Sequence, residues 1–160
     1  MSRRRKSIKR KMYADPTYQS FLVDMFVNRL MKNGKKALAY KIIYKCIDLL
    51  AEDTGQEGIK AFERAIHNVT PAMEVKARRV GGATYQIPQK VERKRAVVLA
   101  MQWILVATRK RNGKTTCVKL ANELGDALNK QGAAIKRRTD IHRMAAANKA
   151  FARFRFNKKK

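Results

Sequence analysis

The sequence predicts a mainly α fold: a single-domain bundle of about six helices with one protruding β-hairpin, about residues 74–88, between helices three and four. Three observations predict it. Apolar residues recur at helical spacing in six stretches, separated by Gly, Pro or Asx stop signals. The one convincing β signal is VKARRVGGATYQIP, residues 75–88, where two short runs with β-branched residues meet at Gly81-Gly82. No internal repeat or low-complexity linker divides the 160 residues, and a 45% hydrophobic content suffices to bury a core.

Residues 1–12 carry Arg3, Arg4, Arg5, Lys6, Lys9, Arg10 and Lys11 with almost nothing apolar, so this flexible basic arm cannot fold alone. Short runs of this kind occur both in nuclear-localisation signals and in nucleic-acid-binding arms. Asp15-Pro16-Thr17 then supplies a cap and a first turn for helix one, in which Tyr18, Phe21, Leu22, Met25, Phe26 and Leu30 are spaced helically. Asn33-Gly34 predicts a left-handed stop. Lys35 and Lys36 follow, and helix two runs through Leu38, Ile42, Cys46, Leu49 and Leu50 to Asp53-Thr54-Gly55. Helix three presents one narrow stripe, Ile59, Phe62, Ile66 and Val69, and ends at Thr70-Pro71.

In the hairpin, a two-residue connection pairs Val80 with Ala83, Arg79 with Thr84, Arg78 with Tyr85 and Lys76 with Ile87. Cations therefore stand on both faces. A strand pair lying on a core would bury one apolar face, so the hairpin reads as an arm that completes its packing against a polyanion, or else as a surface hairpin with solvated charges.

Helix four, residues 91–112, is apolar almost all round from Ala96 through Leu99, Met101, Trp103, Ile104 and Val106 to Ala107, which predicts that the other helices surround it. Trp103 reads as a core anchor in preference to a base-stacking platform. Arg93, Lys94 and Arg95 occupy its first turns, where the macrodipole opposes each cation by about 0.3–1 kcal/mol. A phosphate at that end reverses the sign. Arg109, Lys110 and Arg111, followed by Asn112-Gly113-Lys114, suit the dipole and so have a structural as well as a binding explanation. Thr115 or Thr116 caps helix five, with Val118, Ala121, Leu124 and Leu128 inward and Gly132 closing it. Helix six, from about Ala133, sets Ile141, Met144 and Phe151 inward and Lys136, Arg137, Arg138, Arg143 and Lys149 outward. In the basic tail, 153–160, Phe154 and Phe156 alternate with Arg153 and Arg155 before three lysines; such rings either stack on bases or pin a frayed helix end to the core, and Phe151 is assigned to the core.

A net charge of +26, from 38 Lys and Arg against 12 Asp and Glu, opposes compaction unless counter-charge is supplied, and nucleic acid supplies it. A basic membrane-surface protein would concentrate its charge along one helix, whereas here nearly every junction is basic. Cys46 and Cys117 lack partners at metal-ligand spacing and are expected to be buried thiols of a reduced compartment, with no disulfide, metal or cofactor. No stretch has the length of a membrane span, no h-region follows the basic N-terminus, and no longer transit peptide is seen, which implies synthesis in the compartment of use or a processed chain. His67 and His142 are isolated, nucleophile elbow and Walker loop are absent, and the acids are scattered, so no enzyme is expected. A helix-turn-helix DNA regulator is the rival reading, but it would gather base-reading polar residues on one helix. Cations at helix ends, loops and both tails instead suit a folded RNA surrounding the protein.

PAMEVKARRVGGATYQIP at 71–88, AMQWI from Ala100, LANEL from Leu120 and HRMAAANKAFARFR from His142 resemble the bacterial and plastid type of the small-subunit ribosomal protein family number seven. So do the opening RRRK and the NGKKALA after helix one, and the likeness covers essentially the whole chain in order. It implies a structural constituent of the ribosome, in the plastid stroma or bacterial cytoplasm, that binds the 3′ major domain of small-subunit rRNA early in assembly and organises the head. It makes Lys76, Arg78, Arg79, Gly81, Gly82 and Tyr85 an arm facing mRNA and exit-site tRNA. The rRNA surface falls to Arg3, Arg4, Arg5, Lys6, Lys9, Arg10, Lys11, Lys35, Lys36, Arg93, Lys94, Arg95, Arg109, Lys110, Arg111 and Lys114. The C-terminal helix and tail are implied to lie near the S-eleven family member, and bacterial relatives can also repress their own message. Two departures concern the tail: Phe156-Asn157-Lys158-Lys159-Lys160 runs past where bacterial members often end, and Arg153-Phe154-Arg155 is unusually basic. The segment from Leu22 to Tyr44 looks plastid-like.

Overall fold

Helical periodicity and turn chemistry produce six α-helices and one two-stranded hairpin among residues 13–154, which are the residues the computed structural model describes. The arm 1–12, the tail beyond residue 154 and the Phe154 ring, with the expectations placed on them, lie outside the described residues. In chain order the elements are α1 Phe21–Leu30, α2 Lys36–Thr54, α3 Gly58–Val69, β1 Met73–Val80, β2 Ala83–Lys90, α4 Arg93–Lys110, α5 Thr116–Leu128 and α6 Gly132–Ala147, then a 3₁₀ segment Lys149–Phe154.

The first helix is shorter than its apolar pattern. Asp15 does cap, but it caps a turn: its Oδ2 accepts the backbone N–H groups of Thr17 and Tyr18, at 3.1 and 2.9 Å, while Tyr44 donates to Oδ1 at 2.7 Å. Gln19 then takes a positive φ of 50°, and α1 begins two residues later. It also ends early, on an extended Met31, so the left-handed Asn33 and Gly34 shape the loop to α2 instead of closing α1. Gly55 does close α2 in the left-handed conformation, with φ 62°.

Phe26, Ile43, Leu50, Phe62, Met101, Ile104, Leu120 and Leu124 are all fully enclosed and form the middle of the core. Phe26 and Phe62 meet edge to face with centroids 5.4 Å apart. Helix α5 packs against α2, α3, α4 and α6. Its buried line is Cys117, Leu120, Ala121, Leu124 and Ala127, which turns Val118 outward against expectation; the helical step of one residue is enough to carry it off the stripe. Thr115 holds the N-cap position without a side-chain cap bond, its hydroxyl lying 3.1 Å from the Cys117 sulfur. Cys46 and Cys117 are buried free thiols, and burial pushes the Cys46 thiol up.

Helix α4 is not surrounded. Its neighbours α1, α3, α5 and α6 cover Ala96, Ala100, Met101, Ile104 and Ala107, but Gln102 and Val106 face outward. Trp103 is half-buried against the core. Helix α6 departs from its hydrophobic reading more sharply. Met144 is exposed, while Ile135, Arg138, His142 and Ala145, spaced 3, 4 and 3, form the line that turns inward or half inward. Arg138 is drawn in because its guanidinium donates to the Asn68 carbonyl at the C-terminal end of α3, where the dipole favours a cation. His142 Nε2 accepts the Ala72 N–H at 3.2 Å, just before the hairpin.

The hairpin register is Val80 with Ala83 through Met73 with Lys90, as the two-residue turn dictates. Gly81 and Gly82 have φ of 57° and 89°, both positive, which a type I′ turn requires. The base of the hairpin is docked: Ile87, Pro88 and Glu74 are buried, α6 packs against both strands and the 3₁₀ segment packs against β2. Phe151 serves this contact and not the helical core, its ring lying 4.9 Å from that of Tyr85. Arg79 and residues 81–84 are exposed, so only the distal half projects.

Candidate nucleic-acid interface

Few acids are available to this chain, and the buried ones hold cations or turns in place. Asp24, on α1, accepts bonds from Lys36 Nζ at 2.9 Å, Tyr40 hydroxyl at 2.7 Å and Asn28 amide at 2.7 Å, fixing the start of α2 beside the basic loop. Glu74, at the root of the hairpin, takes Lys76 at 3.0 Å and Arg95 at 2.8 Å and so ties β1 to the first turn of α4. Glu123, on α5, takes Arg111 at 2.7 Å and the Ala134 N–H at 3.0 Å, joining the α4–α5 turn to the start of α6. Asp126 pairs with Arg111 as well. Each carboxylate thus anchors the root of a basic element.

These anchors make the acid limb of stability predictable. For Asp24, burial alone raises the carboxyl, but the bonds from Tyr40, Lys36 and Asn28 outweigh it and hold the group below its usual range. For Glu74, burial is likewise outweighed by Arg95 and Lys76. A carboxyl depressed in the folded state contributes stability above its unfolded value, and that contribution is lost as pH falls through the folded one. Unfolding free energy is therefore expected to hold through neutrality and to decline below about pH 4. Urea unfolding at about pH 7, 5 and 3 checks it, and a flat profile down to the lowest pH would remove both carboxylates from the anchoring role.

What the anchors leave free is a set of cations distributed along α4. Arg93 and Lys94 stand exposed at its N-terminal end, with Arg95 half turned to Glu74. At ~1.5 Å per residue the C-terminal cations lie roughly 25 Å away. There Arg109 shares a cavity of about 300 Å³ with Lys32 and Lys35 of the α1–α2 loop, lined also by Leu30, Leu38 and Leu105. Along the outward face of α4, Val98, Gln102 and Val106 form a shallow groove with Arg29 on one flank. Lys110 lies on the other flank, with Arg137 of α6.

The expected residues therefore separate by role. Lys35, Arg93, Lys94, Arg109, Lys110 and Lys114 are exposed, and Lys35 and Arg109 are brought together. Arg111 is turned inward onto Glu123 and Asp126; Lys36, Lys76 and Arg95 are shared with carboxylates. Arg79, Gly81 and Gly82 form the exposed tip, Arg78 is half-buried, and Tyr85 is partly covered by Phe151. Residues 3–11 lie outside the described residues. Sequence reasoning misses Arg29 and Lys32, and it treats Arg137 as an outward charge without a site. The KRR run at 136–138 is a usable signal, since only Arg138 of the three is drawn inward.

Among the described residues no helix is long and apolar enough to cross a membrane, and no group of three His, Cys, Asp or Glu is placed to hold a metal ion. Compared with known proteins, residues 2–149 match the family described as ribosomal protein S7p/S5e. The small ribosomal subunit protein uS7c of Tupiella akineta is 56% identical over 98% of this chain and 100% of its own length. That of Prototheca wickerhamii is 53% identical, and the uS7 protein of Thermosynechococcus vestitus 49%, with the same coverage.

Proposed function

The chain belongs to the ribosomal protein S7p/S5e family, and on that premise we propose that it binds the 3′ major domain of small-subunit rRNA and organises assembly of the subunit head. Family membership makes it a structural constituent of the ribosomal small subunit and not an enzyme, at work in the ribosomes of the plastid stroma or the bacterial cytoplasm. The observation that supports the finer reading is the anchoring of basic elements by Asp24, Glu74 and Glu123. It leaves exposed cations on the α1–α2 loop, both ends of α4 and the α4–α5 turn. Cations fixed on several elements suit RNA segments approaching from several directions better than one straight duplex. Binding of purified protein to fragments of each rRNA domain tests it: the 3′ major fragment is expected to bind most tightly at every salt concentration. Equal affinity for random duplex DNA would overturn it.

We propose further that the hairpin tip is the arm that reaches mRNA and exit-site tRNA, and that the C-terminal helix lies near the S-eleven family member. Because the hairpin base is docked through Ile87 and Pro88, shortening residues 79–84 is expected to leave incorporation into small subunits unchanged while altering protection of the mRNA and tRNA exit region from chemical probes. Co-sedimentation with subunits in high salt measures the first part. Failure to incorporate would make the tip an assembly element.

A further inference from the structure

We propose that the groove between α4 and α6 seats one unpaired nucleotide of the rRNA, its base against Trp103 and its flanking phosphates on Lys110 and Arg137; this rests on the rRNA-binding reading and deepens it. The groove has a volume of about 460 Å³, and its walls include Gln102, Trp103, Val106 and Lys110 from α4 and Ala133 and Arg137 from α6. Ligand pockets start near ~300 Å³. Trp103 packs on the core yet stays half-buried, so part of the indole forms the groove wall. Among the described residues its ring N–H donates to no protein acceptor and is not enclosed. A tryptophan N–H without a protein acceptor is left to water or to a ligand bound beside the ring.

The charge and shape of the walls select the occupant. No carboxylate lines the groove, Lys110 and Arg137 are both exposed, and the Gln102 amide offers a donor and an acceptor at the edge. A planar, partly apolar ring carrying a phosphate on each side meets all of these groups at once. A base inside a duplex cannot present its face to an indole, so the nucleotide must be unpaired. This groove lies on the opposite flank of α4 from Arg29, which borders the other groove together with Arg109.

Trp103 is the chain's sole tryptophan, so its emission reports on this groove alone. Titrating the 3′ major domain fragment into the intact chain is expected to quench that emission and to shield it from acrylamide, both in step with binding followed through labelled RNA. Arg137→Ala is expected to weaken binding and to lower the slope of log affinity against log salt by about 0.7–0.9. Ala133→Glu places bulk and negative charge in the groove from an exposed site in the first turn of α6, where the dipole favours an acid. It is expected to weaken binding by about tenfold, the scale of one lost base–aromatic stack, with the thermal unfolding curve unchanged. RNA that binds while Trp103 emission and acrylamide quenching stay constant, and while Ala133→Glu is silent, overturns the nucleotide seat alone. RNA that does not bind overturns the reading beneath it. The same emission change on adding polyglutamate would show that the groove takes any polyanion, and overturns the base contact.

Discussion

Glu123→Ala is expected to lower unfolding stability by about 3 kcal/mol. Its carboxylate is almost fully enclosed, with 1% of the side chain exposed, and it accepts from Arg111 through Nε at 3.2 Å and Nη2 at 2.7 Å. The other oxygen accepts the Ala134 N–H at the start of α6. Truncation leaves that buried N–H without an acceptor and strips Arg111 of its better-shielded partner. Removing one member of a buried pair typically costs about 3–5 kcal/mol, and Asp126 together with the 27% exposure of Arg111 sets the expected loss at the lower end. Glu123→Gln keeps an acceptor for Ala134 while deleting the charge, so about half that loss is expected. Urea unfolding of both variants at neutral pH measures the difference. A loss under about 1 kcal/mol for Glu123→Ala would mean that Asp126 alone secures the turn.

That Arg111 alone of its run is paired with carboxylates is not readable from the sequence, and the reason is general. Periodicity and turn chemistry are local signals, and they locate all six helices, the hairpin register and the primed Gly81-Gly82 turn. What they miss is decided by partners distant in sequence. Arg111 sits in a run with Arg109 and Lys110, and its ion pairs with Glu123 and Asp126, 12 and 15 residues on, distinguish it from them. Arg138 is drawn inward by a carbonyl 70 residues away. Phe151 leaves the core for Tyr85, a choice set by where the hairpin docks. Apolar content misleads in the same way at α4: its unbroken run of apolar side chains implies neighbours on every side, yet no helix covers Val106, and the open face lies between the cations of α1 and α6. At α1 the local signal itself is ambiguous, because Asp15 caps a turn with the same side chain that could cap a helix.

Binding of the 3′ major domain fragment is expected to weaken by about 10³–10⁵-fold between roughly 50 and 200 mM salt if six to ten phosphates are neutralised, and the double change Arg93→Ala with Lys94→Ala tests where part of that dependence arises. Both side chains are exposed at the N-terminal end of α4, whose first turn holds no acidic residue beyond the N-cap Glu92. Their loss is expected to lower the salt slope by about 1.5, close to 0.7–0.9 for each phosphate contact. Unfolding stability should rise by several tenths of a kcal/mol up to about 1 kcal/mol, since two cations no longer face the positive end of the helix dipole. Arg95 must be left in place, because it also holds Glu74, and its removal would leave that nearly buried carboxylate with Lys76 as its remaining ion-pair partner. The cost of Arg95→Ala is expected to be about 1 kcal/mol or less, limited by the 52% exposure of its side chain. A triple replacement would mix a gain with a loss. The double variant separates the two: affinity and stability moving in opposite directions identify residues kept for RNA, whereas a parallel fall in both would place Arg93 and Lys94 among the residues that hold the fold.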